Sequence, residues 1–109
     1  MIAAQFIFQP GTYDAEFHQL DAAIEEAAAA IPGFLGTDKW YSKDGLRTNS
    51  VYYFESMADL TKLGRVTQHR DAKGKVARWY DGYQVVVTEV IASYGDGNIP
   101  HIAGGFTKS

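Results

Sequence analysis

Two stretches of this chain place large apolar side chains on consecutive residues of what reads as β-strand: Val51-Tyr52-Tyr53-Phe54 and Val85-Val86-Val87. Phe6-Ile7 repeats the pattern near the start. Successive strand residues point to opposite faces of a sheet, so each stretch makes both faces apolar. A sheet with one face in water would alternate apolar with polar residues. At 109 residues the chain suits a single domain with one core. Helices on one side cannot cover both faces of its sheet. The pattern therefore implies a second layer, and a two-fold homodimer joining bare sheet faces would supply it.

The rest of the chain sets the order of elements. Ile2–Gln9 is β-prone and ends at the turn residues Pro10-Gly11. Thr12 is placed to cap a helix starting at Tyr13. Phe17, Leu20, Ile24, Ala27 or Ala28, and Ile31 form its apolar stripe, and Ile31-Pro32-Gly33 stops it. Phe34–Ser42 and Leu46–Glu55 read as strands around a Lys43-Asp44-Gly45 hairpin turn. Ser56 and Asp59, three apart, open a short helix that is expected to end near Gly64. A longer helix is expected from Thr67 to Tyr80, followed by a last strand over Tyr83–Ala92. The order β-α-β-β-α-α-β is that of an α+β, ferredoxin-like split βαβ domain with a four-stranded antiparallel sheet. Residues 1–93 form this domain, and the Gly-rich residues 94–109 read as a C-terminal arm or loose tail.

Composition narrows the function. Net charge is −3, which argues against a nucleic-acid binder. Residues 14–26 are acidic and residues 62–78 basic, either as two solvated helix faces or as a basic rim that steers an anionic ligand. There is no Cys, so no thiolate metal site or Cys nucleophile. The three His are too scattered for a metal signature, and no Gly-rich phosphate loop follows a strand. No apolar run reaches the roughly 18 residues of a membrane span, and the N-terminus lacks the pattern of a signal peptide. The expectation is a cytoplasmic protein with no nucleic-acid or membrane partner. Aromatic residues make up 14%, with six Phe, seven Tyr and two Trp. So many rings suit two tasks, an interface and a ligand pocket.

Three pieces of sequence carry a family resemblance: Ile31-Pro32-Gly33-Phe34-Leu35-Gly36, Tyr53-Phe54-Glu55-Ser56 and Trp79-Tyr80-Asp81-Gly82-Tyr83. With the element order, residues 2–92 resemble the antibiotic biosynthesis monooxygenase superfamily of dimeric α/β barrels. The resemblance implies a homodimer with one pocket per subunit between sheet and helices. It also implies chemistry ranging from cofactor-independent oxygenation to haem degradation. The anthrone-type oxygenases carry an Asn and a Trp on the third strand where this chain has Ser50 and Phe54, and a Tyr where it has Leu60. The iron-binding His of the haem degraders matches Lys73, with His69 one turn earlier.

A helical wheel over Thr67–Tyr83 puts His69 on one side with Ala72, Val76, Tyr80 and Tyr83. His69 is then either a buried structural histidine or the acid/base of a pocket. An imidazole with a pKa of about 6.5 can take a proton from a phenol or an activated C–H. Trp40, Ser50, Tyr52, Phe54, Trp79 and Tyr83 are the candidate substrate-binding residues around it, with Asn49 as a further donor. Glu89 is expected to pair with Arg47 or Arg78, or to orient His69 if buried. His18 is expected in solvent, and His101 in the tail either hangs free or covers a neighbouring pocket. The expectation is a monooxygenase-like enzyme for an aromatic or polyketide-type compound, working without a cofactor. Haem binding or degradation, isomerase or decarboxylase chemistry, and non-catalytic binding remain open beside it.

Overall fold

The structure, a computed structural model, describes residues 1–70 and 79–108, with side chains described to residue 66 of the first stretch. Its elements are β1 (Ile2–Pro10), α1 (Ala15–Ala29), β2 (Phe34–Tyr41), β3 (Thr48–Phe54), α2 (Met57–Arg70) and β4 (Tyr80–Glu89). The strands form one antiparallel sheet in the order β2-β3-β1-β4. This is the expected α+β, ferredoxin-like arrangement.

Local chemistry explains most boundaries. Asp14, not Thr12, caps α1, and its Oδ1 accepts the Phe17 N–H at 2.9 Å. In the β2–β3 hairpin Gly45 takes a φ of 74°. Asp44 Oδ1 there accepts from Ser42 Oγ and from the Leu46 N–H, which holds its carboxyl below the usual range. At the start of α2 the Ser56 hydroxyl donates to Asp59 Oδ2 at 2.8 Å.

Two expected boundaries fail together. Gly64 does not end a helix: α2 runs unbroken through it to Arg70, because Leu60 and Leu63 on its inner face pack into the core. Trp79, Tyr80 and Tyr83 are not on a second long helix. Trp79 lies in a turn, and Tyr80 and Tyr83 belong to β4, which starts three residues before the expected strand.

The sheet has two unlike faces. Tyr52, Phe54, Phe6 and Phe34 point to the helices and pack with Ile24, Ala28, Ile31, Leu60 and Leu63. Ala3, Val51 and Tyr53 point the other way, where Ala103 of the C-terminal arm joins them, 3% exposed. The arm is therefore not a loose tail. Ser93 N–H donates to Phe106 O, Lys108 N–H donates to Ile91 O, and Ala92 bridges to Thr107, so the arm doubles back as a short antiparallel pair. Coverage is also uneven. Ile2–Ala4 at the start of β1 and Val51–Phe54 at the end of β3 are buried beside each other, whereas Val85, Val86 and Val87 on β4 are all exposed.

Candidate functional site

On the helix face, β1, β3, β4 and α1 bring aromatic rings together. Phe8 stacks on Tyr80 with centroids 4.2 Å apart, and Tyr13 stacks on Phe17 at 3.8 Å. Phe17 also meets Trp79 edge-on at 5.6 Å, and Phe6 meets Tyr52 at 5.4 Å. Rings in such offset and edge contacts lock one another's orientation.

Three phenols in this group share one electrostatic neighbour. Burial raises the pKa of Tyr13, pushes Tyr52 up to about 12 and lifts Tyr80 further, and the Asp21 carboxylate raises all three. All three hydroxyls therefore stay protonated at neutral pH. They can donate hydrogen bonds to a ligand oxygen but cannot act as bases there. Asp21 is the residue that sequence reasoning missed. It reads as one acid among five on the solvated face of α1, yet it is half-buried beside the tyrosines.

The candidate residues divide between the faces. Tyr52, Phe54 and Ser50 share the helix face through strand alternation, and Trp79 is packed there at 2% exposure. Tyr83 pairs with Phe8 on that face but is 72% exposed. Trp40 does not join them: its register partner Asn49 puts it on the opposite face, where it is 60% exposed. His69 lies in the last turn of α2 with its side chain outside the described residues, as are Lys73 and Arg78. Of the expected basic rim, Lys62 and Arg65 are described on α2, the Arg70 side chain is not, and Lys75 lies outside the described residues. Among the described residues Glu89 pairs with Lys108 rather than with Arg47, and Arg78 lies outside them. Glu89 is exposed, 2.7 Å from Lys108 Nζ, and this cation holds its carboxyl below the usual range. His18 is exposed on α1, as expected, with its ring edge-on to Phe17 at 5.3 Å.

The described cavity lies on the face away from the helices, not between helices and sheet. It measures about 350 Å³, and Trp40, Asn49, Tyr53 and His101 are among its lining residues. His101 there does not hang free. Its Nδ1 accepts the Ala103 N–H at 3.0 Å and its Nε2 lies 3.1 Å from Asp38 Oδ2. An accepting Nδ1 places the proton of the neutral ring on Nε2. Tyr53 Oη is 3.5 Å from the same nitrogen, and burial with the nearby Asp38 raises its pKa. Among the described residues no group of His, Cys, Asp and Glu could hold a metal ion, and no helix is long and apolar enough to cross a membrane. For haem iron, the histidine described on the helix side is His18, on the solvent rim of the ring cluster. The expected ligand, His69, has its side chain outside the described residues.

No family model and no curated protein matches the chain. Solved structures do. A protein of the antibiotic biosynthesis monooxygenase type from Nitrosomonas europaea superposes with a TM-score of 0.64 at 17% identity, over 84% of this chain and 99% of that one. SnoaB, a cofactor-independent oxygenase from Streptomyces nogalater, gives 0.63 at 13% identity over 84% and 94%. A point mutant of MhuD, with two manganese protoporphyrin IX bound per active site, gives 0.64 at 18% identity over 87% and 99%. Likeness at such identities establishes architecture: this chain has the fold of the antibiotic biosynthesis monooxygenase-type proteins.

Proposed function

We propose that the protein is a small oxygenase that acts on an aromatic or polyketide-type phenol without a cofactor, on the helix side of its sheet. The observation that carries this reading is the set of three protonated tyrosines, Tyr13, Tyr52 and Tyr80, grouped with Asp21 among stacked rings. The rings fit a flat substrate, and the hydroxyls would hold its oxygens. The SnoaB likeness in fold supports the reaction class. His69 is the proposed acid/base, and Ser50, Phe54, Trp79 and Tyr83 the proposed neighbours of the substrate.

The chemistry needs only the substrate and dioxygen. The base removes a proton from an activated ring carbon, and the resulting carbanion gives its electrons to dioxygen. One oxygen atom ends in the new carbonyl, and the other leaves as water with the two hydrogens of that carbon. Oxygen uptake with a reduced anthrone tests this. Wild type should consume one dioxygen per anthrone above the spontaneous rate, and His69→Ala should return to that rate. Equal rates for both would remove His69 as the base, and no uptake above background would overturn the reading.

The MhuD likeness favours a second reading, haem binding through His69. A Soret shift on adding haem that disappears in His69→Ala would establish it, and no shift would end it. In either reading a second copy of the chain is the proposed partner, seated on the sheet where the β4 valines are bare. Light scattering should then give twice the chain mass. A cytoplasmic setting is proposed as well, and the lack of a membrane-spanning helix among the described residues is compatible with it.

A further inference from the structure

We propose that Asp21 sets the specificity of the helix-side site: its carboxylate accepts the O–H of a neutral phenol and turns away ring compounds that carry an anionic substituent. The inference rests on the helix-side reading and deepens it, by naming the charge of the ligand and the group that reads it.

Asp21 stands apart from the other acids of residues 14–26. Asp14, Glu16, Glu25 and Glu26 are exposed, whereas Asp21 is half-buried. The helical period explains the difference. Asp21 follows Phe17 by four residues and precedes Ile24 by three, and both of these face the sheet. Phe17 meets Trp79 edge-on at 5.6 Å and Tyr80 at 6.0 Å, while Ile24 packs against the core that holds Tyr52. The carboxylate of Asp21 therefore lies on the inner stripe of α1, next to the rings.

What this carboxylate faces decides what it can read. Tyr13, Tyr52 and Tyr80 approach it from the loop before α1, from β3 and from β4, and its charge opposes the ionisation of each. Glu25, one turn further along α1, adds to the negative field at Tyr52. Among the described residues no hydrogen bond or ion pair engages the Asp21 carboxylate: Lys62 answers Asp59, and Lys108 answers Glu89. A half-buried charged acceptor is best satisfied by a donor. The site thus offers three hydroxyls to a ligand oxygen and one carboxylate to a ligand O–H, and a neutral phenol meets both. A carboxylate on the same ring would face Asp21 with no described ion-pair partner to neutralise it, and like charges repel more strongly where water is partly excluded. Tyr83, opposite Phe8 in register and 72% exposed, leaves the edge of the ring cluster open to such a ligand.

Naphthol, its methyl ether and naphthoate test the proposal, each titrated into the full chain at neutral pH and followed by NMR. The Trp79 indole N–H and the Tyr52 ring report on the helix side. Wild type should bind naphthol about tenfold more tightly than either the ether, which lacks the donor, or naphthoate, which carries the charge. Asp21→Asn keeps an acceptor and drops the charge. It should tighten naphthoate about tenfold and leave naphthol within about threefold. Asp21→Ala should bring naphthol down to the level of the ether. A merely structural role for Asp21 would move all three ligands together. Equal binding of naphthol and ether, or naphthoate that gains nothing in Asp21→Asn while naphthol still shifts Trp79, would overturn the assignment and leave the helix-side reading standing. No shift at Trp79 or Tyr52 with any of the ligands would overturn both.

Discussion

Ile102 of the C-terminal arm occupies the space that a side chain at Gly36 would need: a Cβ built on Gly36 would lie 2.9 Å from Ile102 Cδ1. Gly36 has a φ of 143° and sits at the β2–β3 register shift, so the backbone also disfavours any other residue. Gly36→Ala should cost about 1–3 kcal/mol and lift the arm. Denaturant unfolding reads the first effect. Faster hydrogen exchange at Lys108, whose N–H donates to Ile91 O, reads the second. Adding Ile102→Ala should restore only the steric part.

Gly64 presents the opposite case. It lies inside α2, its φ is ordinary, and a Cβ there would meet no described atom within 4 Å beyond its chain neighbours and the helix's own backbone. Gly64→Ala should therefore stabilise the protein by about 0.5–1 kcal/mol through helix propensity. A rise in the denaturation midpoint at constant slope is the expected result.

Alkali should destabilise the fold through the helix-side tyrosines. The Tyr52 pKa is about 12 in the folded chain against 10.0 for an ordinary tyrosine. Between those values the unfolded chain has released a proton that the folded chain keeps, so stability falls as pH rises. It is complete below pH 10 and is lost toward pH 12. Tyr52→Phe should flatten this decline in thermal melts run on either side of pH 10.

Acid should act on the arm instead. Lys108 holds the Glu89 carboxyl below its usual 4.5. A lowered carboxylate pKa adds stability that is present above 4.5 and is lost as pH falls through the folded value. Protection of the Ser93 and Lys108 amides, taken relative to their intrinsic exchange rates, should fall on acidification in wild type. In Lys108→Met the loss of protection should be smaller.

The split of strand neighbours was legible from alternation alone. Tyr52 and Tyr53 on β3 do face opposite ways, one into the helix-side core and one under the arm. Asp21 was not legible. Periodicity shows that α1 has an acidic face but not which carboxylate leans toward the sheet, and that depends on where Tyr13, Tyr52 and Tyr80 end up. Trp40 was misjudged for a related reason: its register with Asn49 sets its face.

The sequence by itself determined the element order, the hairpin turn at Asp44-Gly45, the apolar stripe of α1 and the resemblance that names the fold. Each depends on residues a few positions apart, which constrain one another through backbone geometry and side-chain period. Only the tertiary structure decided that α2 runs through Gly64, that Asp21 joins three tyrosines, and that the Gly-rich arm closes a cleft. Those outcomes rest on contacts between distant positions, such as Gly36 with Ile102 and Asp38 with His101. No local pattern encodes such pairs, because the chain brings them together only by folding.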